Sequence, residues 1–235
     1  MQDRYAGDVG DFVKLGLLRA LSPGRRLGVA WYRYPDESHN GDGRHITYLD
    51  QPQRYERLDP ALFSHLRSIT KNARSINSLL PVLGGAISSD ESVDSSVISP
   101  RERRNWRAAW FKRVLERLSP CDLVFADPDN GIIDDADCRR GRAKFGKQMP
   151  LAEVQELAEG RCALIYHHNT RRRGGHDAEV DHWLGQIGMP GMAVRATAYS
   201  PRTFFVLNPS AEIEARIEEF CQEWAGLKVH LHKAR

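Results

Sequence analysis

Cys121-Asp-Leu-Val-Phe-Ala-Asp127-Pro128-Asp129-Asn130-Gly131 is an apolar run that breaks abruptly into a turn. Residues Cys121 to Ala126 have the length and the continuous apolar character of a strand buried on both faces. Asp127 to Gly131 supplies the aspartates, proline and glycine that stop a strand and reverse the chain. A strand without a polar face belongs to a sheet covered on both sides, and such sheets are mostly parallel, with helices as crossovers.

The rest of the chain supports that reading. Similar strands are expected at Leu27 to Tyr34, ended by Pro35, and at Cys162 to Tyr166. Before the first of them, Phe12, Leu15, Leu18 and Leu21 recur at helical spacing, with Asp11 as the expected cap and Pro23-Gly24 as the stop. Further helices are predicted around Pro60 to Ile69, Ala73 to Leu80, Pro100 to Leu118, Pro150 to Glu159, Ala178 to Ile187 and Ala211 to Trp224. The helix near Pro100 is basic and amphipathic, its Trp106, Trp110, Val114 and Leu118 repeating every four residues. A short strand is expected at Leu83 to Ile87, within a loop or insertion near residues 84–99. Strands Ala193 to Tyr199 and Thr203 to Leu207, separated only by Ser200, Pro201 and Arg202, should pair antiparallel. The predicted architecture is a single α/β domain over residues 1–235: a doubly wound, mostly parallel, Rossmann-like sheet with a late antiparallel hairpin.

Composition bounds the function. Of 235 residues, 41% are hydrophobic and 28% charged, ordinary for a chain that builds a core. No run of about 18 apolar residues exists, and Met1 to Phe12 carries acids where a secretory signal needs an apolar stretch, so a cytoplasmic protein without a membrane is expected. Cys121, Cys138, Cys162 and Cys221 form no CxxC pair, which points to reduced thiols, the first and third buried. A net charge of +3 does not diagnose a nucleic-acid binder, but the basic residues cluster. The loop near residues 138–149 holds Arg140, Arg142, Lys144 and Lys147, and Arg171 and Arg172 follow the 162–166 strand; these are the expected phosphate contacts.

In doubly wound sheets ligands bind beyond the carboxyl ends of the strands. Three loops lie there by sequence: Asp36 to Arg44, where Gly41 and Gly43 permit close backbone approach and Asp36 and Asp42 offer acceptors; Asp127 to Gly131; and His167-His168-Asn169. If the strand continues through them, His167 and His168 face opposite sides of the sheet.

Five segments of the chain, in the same order, resemble the large-subunit ribosomal RNA adenine methyltransferase J family. Tyr5-Ala-Gly-Asp-Val-Gly-Asp-Phe-Val-Lys14 is similar to its opening signature H-A-G-N-x-A-D-V-L-K, His39-Asn-Gly-Asp-Gly-Arg44 to its loop H-A-G-A-G-R, and Asp127-Pro128 to the start of its D-P-P-Y. Residues 159–166 and Phe205 to Pro209 resemble its last strands. The resemblance implies a class I methyltransferase fold, S-adenosylmethionine as cofactor and a nucleic-acid substrate, RNA ahead of DNA. It also implies that Lys14, His39 and the backbone from Gly41 to Gly43 border the cofactor and that the turn Asp127-Pro128-Asp129-Asn130 is catalytic. Two departures are present: Leu15 stands where the family has a cofactor-contacting histidine, and Asp129 and Asn130 replace the second proline and the aromatic residue. Enzymes that methylate a base amine stack the flipped base on a ring, and Asn130 has none. Two alternatives follow: a non-catalytic binder of nucleic acid or protein on this fold, and a metal-dependent nuclease or phosphoesterase using Asp127, Asp129 and a histidine. The acidic set Asp127, Asp129, Asp134, Asp135 and Asp137 lacks the spacing of a calcium loop, and no metal site is expected.

Overall fold

Alternation within the strand Leu123–Ala126 sets the layers. In the computed structural model, which describes residues 1–37, 43, 45–72, 74–140 and 142–233, with backbone alone at 137, 140 and 143, Leu123 and Phe125 pack into one hydrophobic core. Val124 and Ala126 pack into a second core on the opposite side. The strands are β1 (Leu27–Ala30), β2 (Ile87–Ser89), β3 (Leu123–Ala126), β4 (Gly131–Ile133), β5 (Gln148–Pro150), β6 (Cys162–His168), β7 (Gly191–Ala196), β8 (Arg202–Leu207) and β9 (Val229–Leu231). Seven form one sheet in the order β2-β1-β3-β6-β8-β7-β9, while β4 and β5 pair parallel beside it. β2, β1, β3 and β6 run parallel; β8 is antiparallel to β6 and β7, and β9 is antiparallel to β7. This is the expected mostly parallel α/β sheet with its late hairpin.

The helices are α1 (Val9–Leu21), α2 (Pro52–Tyr55), α3 (Pro60–Lys71), α4 (Arg103–Arg117), α5 (Asp137–Arg140), α6 (Leu151–Ala158), α7 (Gly175–Ile187) and α8 (Ala211–Glu223). α1, α3 and α8 bury Phe12, Phe63 and Ile217 in the first core, and α4, α6 and α7 bury Trp110, Leu157 and Val180 in the second. Phe12 anchors α1, with its ring centroid 4.8 Å from that of Trp224 and 5.4 Å from that of Tyr48. No described helix is long and apolar enough to cross a membrane. Cys121 and Cys162 are buried, as their apolar settings suggest.

Several boundaries differ from the sequence reading, each for a physical reason. Asp8, not Asp11, caps α1, accepting from the Asp11 N–H at 3.0 Å. That leaves the Asp11 side chain inside the protein. β1 stops at Ala30 because Tyr32 takes a left-handed φ of 44°, which bends the chain off the sheet. The helix expected from Ala73 is a 3-10 segment, Ile76–Leu83, containing Pro81; Ala73 itself lies outside the described residues. Gly84 and Gly85, at φ 60° and 85°, then turn the chain, so the edge strand begins at Ile87 rather than Leu83. β4, β5 and β9 have three residues each and were not foreseen.

Candidate active site at the carboxyl edge of the sheet

The carboxyl ends of β3 and β6 meet the start of the reversed strand β8, and α1 closes over them. Between them lies a cleft of about 230 Å³ whose walls include Gly10, Lys14, Asp127, Tyr166, His168 and Arg202. A larger open hollow of about 1000 Å³ lies at the opposite edge of the sheet, beside Arg19, Arg25 and Asp59. Ligands of doubly wound sheets bind at the carboxyl edge, and the buried charges gather there, so the smaller cleft is the functional candidate.

At its base the Lys14 ammonium stands between two carboxylates, 2.6 Å from Asp11 Oδ1 and 2.7 Å from Asp127 Oδ2. All three side chains are buried, and the ammonium also lies 5.6 Å from the Trp31 ring centroid. Burial disfavours charge on Lys14, but Asp11 and Asp127 outweigh it, holding its pKa above the ordinary lysine range. Burial raises Asp127, with Lys14 and the Met1 ammonium offsetting it only in part, and burial raises Asp11 in the same way. The result is a fixed cation beside a carboxylate that accepts a proton more readily than a solvated aspartate. Sequence reasoning named Lys14 and Asp127 separately, and the fold joins them across 113 positions.

The next acid is engaged differently. The Met1 ammonium lies 2.9 Å from Asp129 Oδ1 and donates to the Tyr32 carbonyl at 2.9 Å and the Asp127 carbonyl at 3.2 Å. Gln2 Nε2 donates to Asp129 Oδ2 at 2.6 Å. Burial opposes the charge of Asp129, but the Met1 ammonium and the Gln2 amide outweigh it and lower its pKa. Pro128 is buried, and Asn130 is exposed at the cleft wall, its N–H donating to the Lys147 carbonyl at 2.8 Å. Asp134 pairs with Arg139, and Asp135 accepts from the Ala152 N–H. Among the described residues no cluster of three potential metal-ligating side chains forms. Both carboxylates on which the nuclease alternative relied already balance cations.

Lys147 corrects an expectation. It is buried, ion-paired with Glu37 and 4.9 Å from the Tyr34 ring centroid, so it braces the wall behind Asp129 and is not presented to a phosphate. Arg142, Lys144, Arg171 and Arg172 are exposed; Arg140 falls on α5, and its side chain lies outside the description. Asp36 is also exposed and away from the cleft walls, accepting from the Arg4 N–H at 3.2 Å. His39, Gly41 and Asp42 lie outside the described residues. Gly43 lines the cleft with φ at 79°, but the close approach there is made by the chain itself, since a Cβ would sit 2.5 Å from the Arg4 carbonyl oxygen.

Behind the turn, His167 Nδ1 accepts from the Ile132 N–H at 3.0 Å, which leaves Nε2 to donate to Glu179 at 3.2 Å. Glu179 also accepts from the Thr170 N–H and hydroxyl and from Asn169 Nδ2. Burial works against the Glu179 charge, but the bonds from His167 and Thr170 outweigh it and hold the pKa down at about 2. His168, its side chain on the other side of the sheet, lines the cleft. Of the two histidines, the first therefore positions the turn and only the second faces the cleft.

Sequence reasoning missed Met1, Gln2, Asp11, Tyr199 and Arg202 as parts of this region. Asp11 and Lys14 were legible as an i, i+3 pair of opposite charge on one helix face. Tyr199 is 48% exposed at a left-handed φ of 66°, its ring centroid 5.7 Å from His45, a cleft residue. Nothing in the sequence distinguished it from an ordinary turn residue. No protein-family model matches the chain and no curated protein matches it, so the chemistry of the cleft is read from its own residues.

Proposed function

We propose that the chain is an S-adenosylmethionine-dependent methyltransferase acting on an amine of a base in nucleic acid, RNA ahead of DNA. The observation that carries the reading is Asp127, a buried carboxylate at the carboxyl end of β3, balanced by Lys14 beneath a cleft. The resemblance of Tyr5 to Lys14, His39 to Arg44 and Asp127-Pro128 to the adenine methyltransferase signatures supports the same assignment.

The cleft is lined by both carboxylates and cations, which suits a zwitterionic ligand. Its 230 Å³ falls below the roughly 300–1,000 Å³ of pockets that enclose a whole small molecule, so the described walls take in part of such a cofactor. When bound, the cofactor supplies a methyl group on a sulfonium. Asp127 accepts a hydrogen bond from the target amine and, with its raised pKa, favours taking up the proton that the amine loses. Tyr199, an exposed ring near the cleft mouth, provides the stacking surface that Asn130 lacks. Arg142, Lys144, Arg171 and Arg172 neutralise backbone phosphates.

The test is calorimetric titration of the full chain with S-adenosylmethionine, followed by transfer of a labelled methyl group to RNA and DNA. Binding with transfer that Asp127→Asn abolishes is expected; absence of cofactor binding by the wild type overturns the reading. A second reading, a non-catalytic nucleic-acid binder, is favoured by one observation: Asp127 and Asp129 are both held by internal cations. It predicts RNA binding without transfer.

A further inference from the structure

Among the described residues three arginines are buried to a similar depth: Arg107 at 6% exposure, Arg195 at 6% and Arg202 at 7%. Two of them have carboxylate partners. Arg107 donates to both oxygens of Glu153 at 2.8 Å, and Arg195 pairs with Asp177. Arg202 opens β8 and lines the cleft, yet among the described residues no hydrogen bond or ion pair engages its guanidinium, and its Nε is buried without a partner. A guanidinium at this depth, with one nitrogen buried and unbonded, is unfavourably placed unless its cleft-facing nitrogens meet an acceptor.

The surroundings sharpen the point. The guanidinium packs on Gly10 so closely that a Cβ there would lie 1.7 Å from Nη1, which brings the charge against the amino end of α1. That end of a helix already carries partial positive charge; the nearest acid is Asp8, whose capping Oδ1 lies 2.9 Å from the same Cβ position, yet among the described residues no hydrogen bond or ion pair joins it to Arg202. At the same end the Val9 N–H bonds to the His45 carbonyl and the Asp11 N–H to Asp8, while the Gly10 N–H has no acceptor among the described residues. Among the described residues each acid of the cleft wall has other work: Asp8 caps α1, Asp11 and Asp127 hold Lys14, and Asp129 holds the Met1 ammonium. Tyr166 is not the missing anion, because burial pushes its hydroxyl up to about 12 and keeps it neutral.

We infer that Arg202 is an oxyanion-binding residue, and that the cleft holds its ligand by a carboxylate or phosphate group set between the Arg202 guanidinium and the Gly10 amide at the amino end of α1. Such a group gives the guanidinium its counter-charge and the free amide its acceptor. The inference goes beyond methyl transfer: the amino-acid carboxylate of a nucleoside cofactor and the phosphate of a nucleotide both have this chemistry.

Two matched pairs of probes test it on the full chain by calorimetry: S-adenosylhomocysteine against 5′-methylthioadenosine, which lacks the carboxylate, and adenosine monophosphate against adenosine. At least one oxyanion-bearing member is expected to bind about tenfold or more tightly than its neutral counterpart, with that preference lost in Arg202→Gln. In ¹⁵N-labelled protein the same ligand should shift the Gly10 amide and the Arg202 Nε–H. Preference within the first pair identifies a carboxylate ligand, and within the second a phosphate ligand. Equal affinity within both pairs overturns the inference, as does full preference retained in Arg202→Gln. Should Arg202→Gln fail to fold, the wild-type pairs and the Gly10 shift decide. The methyltransferase reading fails separately: Arg202-dependent binding of adenosine monophosphate without binding of S-adenosylmethionine removes that reading and leaves the anion site. S-adenosylmethionine binding that is equal in wild type and variant does the reverse.

Discussion

Replacing Lys14 by methionine removes a cation that stands 2.6 Å from one buried carboxylate and 2.7 Å from another. Methionine preserves the length of the side chain, so the change isolates the charge. Breaking a buried ion pair from one side costs about 3–5 kcal/mol, because the remaining charge is left uncompensated. In a domain of this size each kcal/mol lowers the melting temperature by about 2–4 °C, so Lys14→Met should lose roughly 6–20 °C at pH 7. The loss should also depend on pH in a definite direction. Burial raises Asp11 and Asp127 above their unfolded values, so without Lys14 the folded state binds more protons than the unfolded one. Stability then falls as pH rises above about 4, by at most about 1.4 kcal/mol per pH unit for each group, and the defect shrinks on acidification. Adding Asp127→Asn should recover at least about 1 kcal/mol at pH 7. Thermal melts of the three variants and wild type at pH 5 and 7 supply the measurement. A Lys14→Met melting point within one degree of wild type at pH 7, or a large loss independent of pH, refutes the account of the triad.

Other consequences are open to measurement. Glu179, held at about 2 in the folded protein against an ordinary 4.5, contributes stability that is complete above pH 4.5 and drains away as pH falls toward 2. Acid titration of Glu179→Gln should show a weaker decline over that interval than wild type. Gly131→Ala places a Cβ 2.4 Å from His167 Nδ1 at a φ of 81°, and the backbone strain and overpacking together should lower urea-measured stability by about 2–5 kcal/mol. If nucleic acid binds, neutralising any one of Arg142, Lys144, Arg171 or Arg172 should reduce the salt slope of binding by about 0.7 to 0.9, whereas Lys147→Gln should leave it unchanged. An equal effect of Lys147→Gln in filter-binding assays would show that the buried lysine reaches the ligand.

The parts of this fold that were legible in the sequence are those in which local pattern and burial agree. Leu123 to Ala126 and Cys162 to Tyr166 are apolar on both faces because helices cover both sides of the sheet there, and the hairpin is marked by the three residues between its strands. β4 and β5 were not legible because Gly131 and Pro150 read as turn residues; their pairing depends on His167 gripping the Ile132 amide and on the return of the chain near Lys147. The same division holds at the site. Asp127 announces itself by following a buried strand, and Lys14 by its place in a signature. Arg202 looks like any polar residue after a proline, and only its depth and its want of a carboxylate set it apart. Lys147 shows the converse, since basic residues close in sequence need not share a surface.

The short parallel pair β4–β5 fastens together the two ends of an excursion that carries the half-buried Arg139 and the exposed Arg142 and Lys144. Ile132 and Ile133 on one side and Met149 on the other are buried, so the two ends are held by packing as well as by the ladder. The covalent link through the tip is therefore not what keeps them in place. A protease that cleaves after arginine should nick the chain near Arg142 and leave fragments that travel as one particle under native conditions and separate only in denaturant. The same tip is the natural place to divide the gene in two and let the halves reassemble.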